Sequence, residues 1–378
     1  MPTDTEKSAL WKNYFARSNS RVPMRLNTNP RVVVQNPEWN TEGYTFEDAA
    51  RDPEVHVQVA LRHELYRRTV LGPRSDLPTE LPDEWAINFW CYNVYDAAAL
   101  GAEVVYLPGQ LPDTRPFLDE ANKRSIFEVP IEDPLELPFI RDGLAFWNEM
   151  DRICRDLRFE GRPVRLVPWE LIFSDGPLTV ACNVRGQDIL LELVTDADYA
   201  QELLAFLTRA ATLRRQAIWK YYGDRLPLAN GLADDSCALI SPGMYRESIL
   251  PHHRAWYDAG PAGSVRSMHL CGDATRHFGA IQSELGVSSF DTGFPVDFAA
   301  LREELGPDVE FSGGPEVALL LGGTPDQVFE RTREILESGV KAGGRFVLQE
   351  GNNLPPFVPL ENLDAMYRAC LDFGANED

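Results

Sequence analysis

The chain has 378 residues, 44% of them hydrophobic and 10% aromatic, enough to bury a large core. Its formal net charge of −22, from 36 Lys and Arg against 58 Asp and Glu, argues against nucleic acid, because each phosphate contact needs clustered cations. No run of about 18 apolar residues occurs, and the opening residues lack a basic then apolar leader, so the expectation is a soluble cytoplasmic chain without membrane contact. Six scattered cysteines with no CxxC pair read as reduced thiols.

Residues 1 to about 45 hold a short amphipathic segment around Leu10 and Tyr14, then a polar stretch with Arg21, Arg25, Asn27, Asn29 and Arg31. That stretch reads equally as an anion-binding lip or a solvated connecting arm. Helical spacing over 46–71 breaks at Asp52-Pro53, and the histidines inside it, His56 and His63, read as packed or surface residues. A buried strand is predicted over 85–93. Six prolines between 107 and 138 predict a long loop or lid. A helix over 139–157 and a strand over 164–169 follow, and 187–222 divides in two at Thr195-Asp196.

From there the alternation is regular. Strands are predicted over 228–233, 265–270, 287–290, 309–311 and 345–348. Helices are predicted over 244–258, 274–285, 298–305, 325–338 and 360–373. About seven strands, most ending in polar residues, predict an α/β fold: a (β/α)8 barrel over 81–378, with residues 1–80 as an N-terminal arm and helices packed on it. A doubly wound open sheet is the alternative, but no Gly-rich phosphate fingerprint follows a strand.

Candidate chemistry gathers at the strand ends. His269 and Cys271 lie two apart on one strand and face the same way, offering an imidazole and a thiolate to zinc. The same pair could serve as a nucleophilic dyad. Asp234-Asp235 are paired carboxylates suited to acid or base work, or to capping a turn. Asp291 ends the next strand. Trp90, Tyr92 and Trp169 could stack a flat or methylated substrate or pack in the core, and Arg185 and Arg276 could hold a carboxylate or lie in solvent.

Several stretches resemble the uroporphyrinogen decarboxylase superfamily, which also holds zinc-dependent methylcobalamin:thiol methyltransferases. They are Gly176-Pro-Leu-Thr-Val, Ala233-Asp-Asp-Ser, Leu239-Ile-Ser-Pro-Gly-Met, His269-Leu-Cys-Gly, Gly313-Gly-Pro, Leu321-Gly-Gly-Thr-Pro and Glu350-Gly-Asn-Asn-Leu-Pro-Pro. The resemblance implies a TIM-type barrel whose cleft takes a tetrapyrrole or a methylated corrinoid. The decarboxylase branch carries an N-terminal Arg-Gln-Ala-Gly-Arg-Tyr motif and an aspartate after the first strand. Here the matching positions read Pro23-Met-Arg25-Leu-Asn and Tyr92-Asn93, with Asp96 as a weak substitute.

The methyltransferase branch shares His-x-Cys, and its third zinc ligand, a cysteine, falls on Asn352 here. Glu350, two residues earlier, offers a carboxylate instead. The resemblance thus implies a methyltransferase or demethylase working with a small-molecule substrate and a corrinoid (cobalamin) protein, assisted by zinc on His269, Cys271 and Glu350. Asp234, Asp235 and Asp291 would be catalytic. Asn352, Tyr92, Asn93, Trp169 and Arg25 would bind substrate, and a homodimer is an assembly the superfamily allows. A carboxy-lyase acting on a carboxylated ring and a non-catalytic tetrapyrrole- or corrinoid-binding protein are the alternatives.

Overall fold

The computed structural model describes residues 1–376. Its parallel strands are β1 Trp85–Ile87, β2 Arg162–Leu166, β3 Asn230–Ala233, β4 Arg266–Leu270, β5 Ser289–Thr292, β6 Glu310–Gly313 and β7 Phe346–Leu348, with helices between them. The strands β3 to β7 pair in sequence order as one continuous parallel sheet. A separate sheet pairs β1 with β2 in parallel, Trp85 opposite Val164, and adds a short antiparallel partner, Arg158–Phe159. A hydrogen bond from Ala233 N–H to the Ser174 carbonyl (3.0 Å) links β3 to the turn after β2. Among the described residues no helix is long and apolar enough to cross a membrane.

The N-terminal arm supplies the next strand position. Met24 bridges Leu348 in parallel, with Arg25 N–H on the Leu348 carbonyl and Leu348 N–H on the Pro23 carbonyl, both at 3.0 Å. The outer edge of β7 would otherwise leave these groups unpaired. Val22, Met24 and Leu26 are buried in the main core, and Arg21 forms a two-pronged pair with the buried Asp76. The solvated-arm reading therefore fails, because this segment completes the sheet and alternates as a strand should.

Local chemistry sets the breaks between helices. Asp52 caps Pro53–Tyr66 by accepting the Glu54 N–H, while Pro53 has none to give, so the preceding helix Phe46–Arg51 must stop. A second break falls at Asp196, between Asp188–Thr195 and Ala197–Tyr222, with the Asp196 carboxylate on Lys123. The predicted first strand ends early: Tyr92 sits at φ 53° and opens a single helical turn, Tyr92–Val94. The proline-rich loop carries order of its own, since Asp113–Arg115 pairs antiparallel with Glu103–Val105.

Period-two alternation along the strands creates the site. Met268, Leu270, Phe290, Phe311 and Phe346 point outward into the core beneath the helices. The alternate residues Ser267, His269, Ser289, Asp291 and Ser312 point inward, and most are too small to fill the barrel. A polar cleft of about 1180 Å³ remains.

Candidate functional site

The strand register brings Ala233, His269, Asp291 and Ser312 side by side across β3 to β6. His269 is held at both ring nitrogens, Nδ1 lying 2.8 Å from Asp291 Oδ2 and Nε2 lying 3.0 Å from Cys271 Sγ. The Cys271 N–H donates to Asp235 Oδ1 at 2.7 Å. As a result, one ligand atom each from Asp235, His269 and Cys271 lies within 4.8 Å of the others.

A nitrogen, a sulfur and a carboxylate oxygen so gathered suit zinc, and the Asp291 contact is the outer-shell partner that orients a ligating imidazole. The residues therefore fit the ion. Burial works against a charge on His269, but the hydrogen bonds to Asp291 and Cys271 outweigh it and raise its pKa well above the usual value. The same contacts also describe a Cys/His/Asp relay.

The third member of the cluster is neither Asn352, where the resemblance puts a cysteine, nor Glu350, the carboxylate offered in its place. Glu350 is fully buried, and both its carboxylate oxygens accept the Asn27 N–H at 3.1 Å. It fastens the arm to the end of β7, while burial pushes its pKa well above the carboxylate range. Asn352 lines the cleft, as do Arg25, Tyr92 and Asn93. Trp169 does not: it is buried against Gly143 in an aromatic chamber next to the cleft.

The two neighbouring aspartates also part company. Asp235 faces the cleft, whereas Asp234 is fully buried. Asp234 accepts the N–H groups of Leu178 (3.1 Å) and Thr179 (2.8 Å), capping the helix Pro177–Arg185, and meets His253 Nε2 at 2.9 Å. Both its oxygens are engaged by the helix start and by His253, away from the cleft lining. Asp96, the weak substitute for the decarboxylase aspartate, is likewise enclosed: it pairs with the buried Arg214 and accepts the Asp175 N–H.

Two residues at or behind the cleft escaped the sequence reading. Gln349 accepts from Arg25 (2.7 Å) and Asn27 (2.9 Å) and donates to Asp291, joining the arm to the His269 cluster. Asp175 lines the cleft with its Oδ2 enclosed and without a hydrogen-bond partner. Burial, then the nearby charges of Asp96 and Asp235, raise its pKa well above the carboxylate range. Its place just before the matched Gly176-Pro177 stretch was the available signal.

A family model described as uroporphyrinogen decarboxylase (URO-D) matches residues 31–373. The chain belongs to the uroporphyrinogen decarboxylase family. Within that family it is similar to a Methanosarcina mazei protein named methylated-thiol–coenzyme M methyltransferase, with 33% identity over 197 residues, 51% of this chain and 50% of the relative. It is 24% identical over 199 residues to the methylcobamide:CoM methyltransferase MtbA of Methanosarcina acetivorans, covering 52% of this chain and 56% of that one. The chain thus spans about half the length of the curated relatives it matches. A solved structure titled methyltransferase from Methanosarcina mazei superposes with a TM-score of 0.66 at 18% identity, over 99% of this chain and 100% of that one. The two chains therefore share a fold over nearly their whole length.

Proposed function

We propose that this family member moves a methyl group between a small methylated compound and the corrinoid of a partner protein, with zinc held by His269, Cys271 and Asp235. The observation that carries the reading is the meeting of nitrogen, sulfur and carboxylate ligand atoms within 4.8 Å in the cleft. The methyltransferase names of the relatives support it. Bound zinc would lower the pKa of a substrate thiol or hydroxyl and stabilise the anion that gives or takes the methyl group.

The chain's own residues have distinct tasks. Asp291 fixes the His269 ring so that Nε2 faces the ligand position. Asp235 spends one oxygen on the Cys271 N–H and keeps the other free. Asp175, whose carboxyl burial holds well above the carboxylate range, can hand a proton to a leaving anion in the cleft. Residues 1–80 serve as the arm and helices of the barrel unit at 81–378. Decarboxylation is the weaker reading, since Tyr92 and Asn93 stand where the decarboxylase aspartate falls and Asp96 is tied to Arg214.

Elemental analysis of wild type, Asp235→Ala, Cys271→Ala and Glu350→Ala tests the reading. Near-stoichiometric zinc is expected in the wild type and in Glu350→Ala, and in neither of the others. Methyl transfer from methylcobalamin to a thiol should follow the zinc. A wild type that stays metal-free after zinc is supplied overturns it, and leaves the Cys271/His269/Asp291 relay.

A further inference from the structure

A second cavity adjoins the cleft. A chamber of about 290 Å³ lies against it, and Tyr92 and Pro112 line both. The chamber wall is aromatic: Phe89 stacks on Phe146 at 5.2 Å and tilts onto Trp169 at 4.8 Å, while Phe46 meets Tyr92 edge-on at 5.4 Å. Tyr92 holds φ 53°, a left-handed conformation that a bulky residue adopts only when its surroundings demand it.

Two polar side chains of this wall already have partners. His56 Nδ1 lies 2.9 Å from the Ala49 carbonyl, and Nε2 accepts the Trp90 N–H at 3.1 Å. Burial lowers its pKa to about 4, so the ring is neutral. Asp142, the one acidic residue of the lining, has a side chain 69% exposed and pairs with Arg141. A cavity walled mainly by aromatic and aliphatic side chains holds apolar matter better than water. One of about 150 Å³ already accepts a benzene ring. This chamber has room for a substituted ring or a fused pair, and its ring edges and faces favour an aromatic guest over an aliphatic one.

We propose that the chamber binds the aryl body of the substrate, so that the compound presented to the cleft is an aromatic ring bearing a methylated oxygen or sulfur. The inference rests on the methyl-transfer reading for the reacting group, and on the chamber alone for the ring.

Calorimetric titration of the full chain with methoxybenzene and 2-methoxynaphthalene, without any corrinoid, tests it. Saturable binding of both is expected, with methoxycyclohexane weaker by about fivefold from the lost ring–ring contacts. Two variants fill the chamber from its less buried lining, Ala50→Trp and Val104→Trp. Each should weaken methoxybenzene by about tenfold or more while zinc content stays at the wild-type level. No saturable binding of either aryl ether up to its solubility limit overturns the proposal, as does affinity unchanged in both filled variants. Aryl binding that is lost in the filled variants, in an enzyme that transfers no methyl group, upholds the chamber and sinks the methyl-transfer reading instead.

Discussion

Asp235 accepts the backbone N–H of Cys271 at 2.7 Å, clamping the turn after β3 to the end of β4. The bond places a carboxylate beside a thiol contributed by a different strand. It also explains why Asp235, and not its buried neighbour Asp234, belongs to the candidate metal site.

Asp291 should matter to the metal through His269. Outer-shell partners of a ligating histidine typically contribute about 10- to 100-fold in metal affinity. Asp291→Asn is therefore expected to keep its fold and lose zinc to a chelator at about 10- to 100-fold lower chelator activity. Unchanged competition would remove Asp291 from the site.

Asp175 makes stability depend on pH in a defined direction. Its pKa is raised above the ordinary 3.8 in the folded chain, so the folded state binds that proton more tightly than the unfolded one. Stability is thus lost as pH rises above about 4 through the folded-state value. Asp175→Asn should unfold at higher temperature than the wild type at pH 7 to 8, with the gap closing toward pH 4. Methyl transfer should fall by about 10²-fold or more, the range for losing a general acid.

His253 is expected to matter to stability and not to the zinc of the cleft. It is fully buried between Asp234 (2.9 Å) and the Tyr245 hydroxyl (3.0 Å). His253→Ala removes one hydrogen-bond partner of the enclosed carboxylate, at a cost of about 1–3 kcal/mol. Chemical denaturation should show that loss, whereas zinc bound per folded protein should not change.

Two glycines distinguish rigid from yielding neighbours. A Cβ on Gly176, at φ 82°, would stand 2.2 Å from the Ala233 carbonyl oxygen, and that backbone cannot retreat without moving β3. A Cβ on Gly143 would stand 2.4 Å from the Trp169 ring, which can shift into the chamber. Gly143→Ala should cost about 1–3 kcal/mol and weaken aryl binding. Gly176→Ala should cost more, seen as a larger drop in thermal midpoint or loss of soluble protein.

Much of the architecture was legible in one dimension because strand and helix periods are local. Alternation bounded by glycine and proline located all seven parallel strands, and Asp52-Pro53 and Asp196 marked the helix breaks. The same period of two put His269 and Cys271 on one face. Trp85 to Asn93 misled, because an apolar run cannot show that Tyr92 will adopt a left-handed turn.

The amino-acid order alone settles most of the strands and helices, and that a histidine and a cysteine emerge together at a strand end. Each of these depends on neighbours a few positions away. The choice of Asp235 over Glu350 does not. It depends on β3 pairing with β4 so that Ala233 lies opposite His269, and on Asn27 claiming the Glu350 carboxylate from more than three hundred residues away. The arm's pairing of Met24 with Leu348 and the chamber between the early helices and β2 are of the same kind. Long-range register and packing decide them, because hydrogen-bonding groups and apolar faces choose partners by proximity in space, which no local period encodes.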